Sequence, residues 1–460
     1  MKDRNYTHAI QIDTNKCIGC SHCMQVCPTQ AIRIIDGHAD IMPERCVDCG
    51  ECYRVCPMRA ICVKDDGLSF VSDDAYRIAL VPSVFIGQFP SKHTASEIMD
   101  AVKQIGFDEV FEVEQAVDFI KKIYDTIADE ADFSLRPIIG SFCPAIVRLI
   151  QVHYHSLTEQ ILQIKAPLDI AAFYLLKSKA KENINPDNIQ IYYITPCAAK
   201  IVAAKAPVGE KVSPIYATIN MKEVFNLVSK TLIEKKDSKL SKQFANMSPD
   251  SVKWSISGTE KQYFRGRSLA IDGMDNVVEF LDRLESGRIT GVDFLEMRAC
   301  DQGCAGGILC PGNRFLTVER LEQREKKLES LAETEESVRN DLMDYAEEIQ
   351  KTFRVDPVYP RDGLQLDDNL EIALQKMERI KKLNTYLPGF DCGACGAPTC
   401  RSLAEDIVKK KATISHCVFV QRVMEKNYNL SPEQAFLTIE KIWGKDRLKK
   451  YQHLNGKTES

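Results

Sequence analysis

From about residue 74 onward, short apolar runs of strand length alternate with longer amphipathic stretches. Arg77-Ile78-Ala79-Leu80-Val81 reads as a buried strand, and Pro137–Ile139 and Ile189–Ile194 are further β-prone runs. Thr94–Ile105 and Glu114–Ile127 repeat their apolar residues at helical spacing, with Gly106 closing the first. Leu157–Ile164, Asp169–Leu176 and the set Val224, Leu227, Val228 and Leu232 continue the pattern. Strands with intervening helices predict an α/β fold with parallel sheets. Arg314–Phe353 is different: charged, helical, with Leu321, Leu328, Leu331, Val338, Leu342, Tyr345 and Ile349 at a/d positions broken by Arg324 and Glu335. That seam predicts either an arm packed on its own protein or a dimerising coiled coil. Pro357, Pro360 and Gly363 mark a linker, Leu370–Leu383 a further helix, and residues 418–460 are helical in texture.

A chain of 460 residues with 44% hydrophobic content can bury several cores, so two to four domains are expected. A formal charge of −5 argues for neither nucleic acid nor an anionic membrane as partner. Met1-Lys2-Asp3-Arg4-Asn5 leads into no apolar signal segment, and no run approaches the roughly 18 to 20 apolar residues of a membrane span. Eighteen cysteines in such a chain change the picture, because they predict metal ligation rather than disulfides, in the reducing cytoplasm of an anaerobe.

Sixteen of them fall into motifs. Cys17-x2-Cys20-x2-Cys23-x3-Cys27-Pro28 recurs as Cys46-x2-Cys49-x2-Cys52-x3-Cys56-Pro57. In this bacterial ferredoxin run the fourth cysteine of each motif serves the other cluster. Cys17, Cys20, Cys23 and Cys56 are therefore expected on one [4Fe–4S] centre, and Cys46, Cys49, Cys52 and Cys27 on a second. Spacing this tight suits a cubane better than a tetrahedral zinc ion. Of the two cysteines outside the motifs, Cys62 and Cys310, Cys62 is expected to be a small buried apolar residue.

Three further segments carry single or paired cysteines: Ser141-Phe142-Cys143-Pro144, Thr195-Pro196-Cys197-Ala198-Ala199-Lys200, and Arg298-Ala299-Cys300-Asp301-Gln302-Gly303-Cys304-Ala305-Gly306-Gly307. The first two follow β-prone runs, and strand ends are where α/β folds place their sites. Together the segments resemble the three cysteine motifs of the iron-only ([FeFe]) hydrogenases, over roughly residues 74–314. The resemblance implies a two-lobed active domain in which Cys143, Cys197, Cys300 and Cys304 hold a [4Fe–4S] cluster. It also implies that Cys304 bridges to a two-iron subsite carrying CO, cyanide and a dithiolate. The family's lysine that anchors a cyanide matches Lys200, and its Pro-Ser pair against a cyanide matches Pro82-Ser83.

The family pattern is also broken. Phe142 stands where a proton-passing cysteine is usual, Ile146 replaces a tryptophan, Thr195 and Arg298 replace methionines, and Ala203 replaces a glutamate. Ile308-Leu309-Cys310 interrupts a glycine run, and a relay glutamate falls at Gln115. The resemblance thus implies an altered two-iron pocket whose usual proton route is cut.

The last motif, Cys392-x2-Cys395-x4-Cys400-x16-Cys417, resembles the small [4Fe–4S] domain of Rnf-type electron-transport subunits and of the corrinoid iron–sulfur protein. Behind a hydrogenase-like domain it resembles a sensory-type subgroup. The expected organisation is a dicluster ferredoxin-like domain over 1–65, an active-site domain over 74–313, a helical arm and linker over 314–382, a small α-helical Fe–S domain over 383–420, and a helical tail over 421–460. The resemblance implies slow, reversible H2 oxidation and proton reduction used to report H2, with ferredoxin or a signalling protein as redox partner. It further implies hydrogenase maturation proteins as partners, and the arm offers a homodimer contact. Two alternatives stay open: an electron-transfer or Fe–S scaffold without the two-iron unit, and an oxidoreductase acting on another substrate.

Overall fold

The computed structural model describes residues 6–68, 75–130, 135–234, 246–334 and 340–449. Its strands in chain order are β1 Ile10–Ile12, β2 Ile32–Ile35, β3 His38–Ile41, β4 Ile61–Val63, β5 Tyr76–Val81, β6 Glu109–Glu112, β7 Ile138–Ile139, β8 Ile189–Thr195, β9 Ala217–Asn220, β10 Ser268–Asp272 and β11 Phe294–Arg298. The N-terminal repeat folds as two antiparallel pairs, β1 with β4 and β2 with β3, so the first strand is closed by the last.

Two parallel sheets follow, in the orders β6-β5-β8-β9 and β10-β11-β7. The first is covered on both faces. Ile78 and Leu80 of β5 and Ile191 and Tyr193 of β8 enter one core, while Ala79, Val81, Tyr192 and Ile194 enter another. Alternation between two dry faces is why these runs read as continuously apolar. The second sheet buries Ile139, Leu295 and Met297 against Ile146, Leu149 and Ile150 of the helix Pro144–His153. The molecule is therefore α/β, with a ferredoxin-like module ahead of two parallel-sheet lobes and helices behind them.

The helix expected from Thr94 runs over Ala95–Lys103, with Thr94 and Glu97 forming a capping box. Glu114–Ile127 is divided between a 3-10 turn, Val113–Ala116, and the helix Val117–Glu130. Leu157–Ile164 is not helical throughout: a 3-10 turn ends at Gln160, and Ile161 and Ile164 then form bridges to Ile139 and Arg354. Its apolar spacing serves an extended segment laid along β7.

The charged stretch is not one continuous arm. A helix covers Arg314–Thr334, and short turns of helix cover Asp341–Tyr345 and Ala346–Gln350. Leu321, Leu328, Leu342 and Ile349 are buried in the chain's own cores, so this part of the seam is already covered; Val338 lies outside the described residues.

Behind the linker, helices Leu370–Tyr386, Cys400–Val408 and Val418–Lys426 enclose a small core of Ile380, Leu387, Leu403, Ala404, Val408 and Cys417. This unit sits on the ferredoxin-like module. The Ile34 amide donates to the Gly396 carbonyl (2.9 Å), and the Asp36 and Gly37 amides to those of Lys441 and Ile442. Arg33 pairs with Asp406 (2.6 Å) and Arg45 with Glu405 (2.9 Å).

Candidate iron–sulfur centres

The crossed pairing expected from the ferredoxin run is how the cysteines fall in space. Cys27, Cys46, Cys49 and Cys52 line one cavity of about 330 Å3, and Cys17, Cys20, Cys23 and Cys56 line a second of about 350 Å3. Apolar walls surround both: Ile10, Ile32 and Ile41 in the first, Ile12, Ile34 and Ile61 in the second. Burial, reinforced by the neighbouring thiols, pushes Cys23 up to about 12. Such crowded thiols ionise only when a cation takes the charge, which is what cluster assembly provides.

The central centre is assembled from strand ends. Pro82-Ser83 follows β5, Phe142-Cys143 follows β7, Cys197 follows β8 and Cys300 follows β11, so parallel strands of both sheets deliver their carboxyl ends to one place. Cys143 and Cys197 are also N-cap residues of the helices Pro144–His153 and Ala198–Lys205, where the helix dipole favours an anion. Cys143, Cys197, Cys300 and Cys304 line one cavity of about 410 Å3 together with Lys200, Arg298, Asp48 and Cys49. Four thiols converging on one cavity are the donor set that a cubane takes, and each ferredoxin-type quartet offers the same set.

The glycines hold the loops together more than they admit a metal. A Cβ on Gly307 would lie 2.5 Å from the Pro196 carbonyl oxygen, and one on Gly303 2.4 Å from that of Ser255. The third loop thus lies against the second, with the Leu309 amide donating to Pro196 (3.0 Å). Ile308 and Leu309 are buried, and Ile308 packs on Gly50 between two ferredoxin-type ligands. The interruption of the glycine run is therefore a contact with the N-terminal module. Arg54 of that module donates to the Gly306 carbonyl.

On the flank of Cys304 lies an arrangement the sequence reading missed. Phe142 is buried with Lys200 Nζ 4.0 Å from its ring centroid and the Arg298 guanidinium carbon 4.2 Å from it. Arg298 is fully buried, with ion pairs to Glu260 (2.7 Å) and Glu296 (3.3 Å). Its Nε and Nη1 still have no hydrogen-bond acceptor. Lys200 Nζ has no ion pair or hydrogen bond among the described residues, and both cations act on the Cys304 thiol. Glu296 and Arg298 alternate on β11 and so share a face. Two opposite charges in that register inside a buried strand were the available signal.

Ser83 is not the free donor that the resemblance implies. Its hydroxyl donates to Glu112, which is held in turn by Arg324 (2.7 Å), and its amide donates to Glu114 (2.7 Å). Glu114, rather than Gln115, is the carboxyl beside this group. Burial first, then the Glu112 charge, pushes it up to about 8. Gln115 is buried one residue further on, and its carbonyl accepts from Asn340.

Cys310 is half-buried beside the centre, with Sγ donating to the Cys304 carbonyl (3.3 Å). Cys62 corrects the expectation: it is exposed on the outer face of the β1–β4 pair, against Gln11. In the C-terminal unit, Cys395 has Cys392 and Cys417 as charged neighbours, and Cys400 opens a helix whose N-cap is Thr399. Cys392 is exposed and Cys417 buried.

Two cysteine quartets in the antiparallel N-terminal module and a third at the ends of parallel strands define an iron–sulfur protein of the α/β class. Three family models match: "Iron only hydrogenase large subunit, C-terminal domain" over residues 76–265, a "4Fe-4S dicluster domain" over 9–57, and an Fe–S cluster family over 387–419. Over residues 76–265 the chain is thus similar to the iron-only hydrogenase large subunit, with a ferredoxin-like dicluster module ahead of that region. It is 28% identical over 255 residues to the periplasmic [Fe] hydrogenase large subunit of Nitratidesulfovibrio vulgaris, covering 50% of this chain and 60% of that one. The chain thus spans three fifths of that relative's length. An uncharacterized protein of Methanocaldococcus jannaschii is 35% identical over 79 residues, which is 17% of this chain and 33% of that one. A solved [FeFe]-hydrogenase of Chlamydomonas reinhardtii aligns with a TM-score of 0.45 at 15% identity, covering 62% of this chain and 94% of that chain. No helix among the described residues is long and apolar enough to cross a membrane.

Proposed function

We propose that the protein is a low-turnover, cytoplasmic oxidoreductase acting on H2 and protons, carrying four [4Fe–4S] clusters and a two-iron subsite beside Cys304, and suited to reporting H2 to a redox partner. The observation that carries this reading is the Lys200 side chain, buried beside Cys304 with no ion pair or hydrogen bond among the described residues. Beside it, Arg298 adds two unsatisfied donors. Buried cations without acceptors are costly, and an anionic, cyanide-bearing group installed by maturation proteins on Cys304 would satisfy them. When bound, that group supplies heterolysis of H2, with its dithiolate amine as base.

The chain's own residues set the rate. Lys200 and Arg298 balance charge, and the cysteine quartets would hold the clusters that pass single electrons. Phe142 presents a carbon surface where a proton donor is usual, and a positioned donor is worth about 10²–10⁴-fold in such a step. Matured protein under H2 should therefore show slow reduction of its clusters by visible and EPR spectroscopy, and none under argon. Phe142→Cys should accelerate that reduction. No H2-dependent reduction in either protein would overturn the reading.

One observation favours the scaffold alternative. With the Ser83 hydroxyl engaged by Glu112 and the Phe142 ring held between two cations, the flank of Cys304 is closed on itself. On that reading the chain only carries electrons, and maturation leaves it unchanged.

A further inference from the structure

The cysteine quartets are not scattered around the central site but follow one another. Asp48 and Cys49 line both the central cavity and that of Cys27, Cys46, Cys49 and Cys52. Cys27 and Cys23 then belong to neighbouring ferredoxin-type quartets in one short repeat. Beyond them, Met24, next to Cys23, reaches Gly393, which lies between Cys392 and Cys395. The C-terminal quartet is thus joined to the ferredoxin-like module at the end remote from the central site. Its own unit covers part of that module's outer edge: Arg447 donates to the carbonyls of Ile18 and Gly19, and Gly37 is pressed against Trp443.

The outer surface of this terminal unit has the composition of a docking face. Cys392 is exposed, and two residues before it Phe390 is 66% exposed. Phe390 meets Phe419 edge to face at 5.2 Å, and Phe419 is itself 47% exposed. Val423 and Lys426 lie four and seven residues on along the helix Val418–Lys426, so they share that face, and both are exposed. The charge of the unit is opposite to that of the chain. Residues 370–449 hold fourteen lysines and arginines against nine aspartates and glutamates, whereas the whole chain carries −5. Several of those acids are also neutralised internally, Asp406 by Arg33, Glu405 by Arg45 and Glu425 by Arg422. A net-basic unit that presents Lys426 beside exposed aromatic residues, next to an exposed ligand, complements an acidic partner.

We infer that the face formed by Phe390, Phe419, Val423 and Lys426 docks a small acidic one-electron carrier protein, which exchanges electrons through the cluster held by Cys392, Cys395, Cys400 and Cys417. The inference rests on the reading that the cysteine quartets hold clusters, but not on the two-iron group. One electron leaves the carrier's reduced centre and enters the terminal cluster, with no bond made or broken. The competing port is the edge of the second ferredoxin-type cavity, that of Cys17, Cys20, Cys23 and Cys56, where Ile18 and Met58 are exposed.

The test uses full-length protein with cubanes reconstituted and no maturation, mixed in stopped flow with a reduced, acidic two-cluster ferredoxin as probe. Phe419→Ser with Lys426→Glu should lower the second-order rate about tenfold and weaken its salt dependence. Met58→Glu should leave the rate within about twofold on the same electrostatic argument. A rate set by Met58→Glu instead, or unchanged in both variants, would overturn the inference. So would iron analysis and EPR showing no cluster on the C-terminal quartet, whereas failure of H2 chemistry would leave the result intact.

Discussion

The two ferredoxin-type quartets come from one continuous repeat whose cavities are lined by isoleucines, while the central quartet is gathered from three loops of two different sheets and is flanked by Lys200, Arg298, Glu260, Glu296 and Glu114. The first kind of site has no cation in its lining, and its only charged lining residues are Asp48 and Glu51. The second adds buried cations and carboxylates whose pairing is incomplete, because Arg298 keeps unsatisfied donors and Lys200 has no ion pair or hydrogen bond among the described residues. Donors left without acceptors in a dry place are a ligand requirement, and they set the central site apart from the two ferredoxin-type quartets.

That contrast can be broken most severely at a ligand. Cys197→Ser removes one of the four thiols of the central cavity and should delete its cluster alone. Iron content should fall from about sixteen to about twelve atoms per chain, at four per cubane. The EPR signals of the ferredoxin-type pair should persist. Loss of all clusters together would show that the central site and the N-terminal module assemble as one.

A smaller effect is expected from the ion-pair cluster. Arg298→Met leaves Glu260 and Glu296 buried without their cation, and breaking a buried pair in this way costs about 3–5 kcal/mol. Chemical denaturation of the cofactor-free protein should show that loss. The same substitution of an exposed pair, Arg283 with Glu279, should cost under about 1 kcal/mol.

The least effect sharpens the electrostatics by pH. Glu114 is raised to about 8 by burial and by Glu112, against the lowering influence of Ser83 and Lys200. Its unfolded carboxyl ionises near the usual value of about 4.3. Between those values the unfolded chain has lost a proton that the native state keeps, so stability falls as pH rises, at up to about 1.4 kcal/mol per pH unit. Asp169, raised by burial to about 7, contributes to the same trend. Denaturation midpoints of cofactor-free protein from pH 5 to 8 should therefore decline less steeply in Glu114→Gln, and the difference belongs to Glu114.

Spacing made the N-terminal ligands legible because each ferredoxin-type loop closes locally, and the crossed use of Cys27 and Cys56 follows from the turn after each motif. Strand runs were legible for the same local reason, as at Arg77–Val81 and Ile189–Ile194. The charges around Cys304 were not. Glu260 lies in a 3-10 turn far from β11 in sequence, and only packing brings it to Arg298. Ser83 was placed correctly at the end of β5, but its hydroxyl is directed by Glu112 and Arg324, which arrive from β6 and from the helix Arg314–Thr334. Cys62 misled because edge strands expose alternate residues, and a cysteine's usual preference for burial does not decide which face it takes.

The central claim is that Lys200 and the unsatisfied donors of Arg298, beside Cys304, would hold an anionic two-iron group. Its most direct measurement is the infrared spectrum of maturated protein under H2 and under argon, recorded beside that of Lys200→Ala with iron analysis confirming the cubanes in both. CO and cyanide bands that respond to H2 in the unmodified protein, and are lost from Lys200→Ala, are the predicted result. Cubanes present in full with no such bands in the unmodified protein, or bands undiminished without the lysine, would contradict the account.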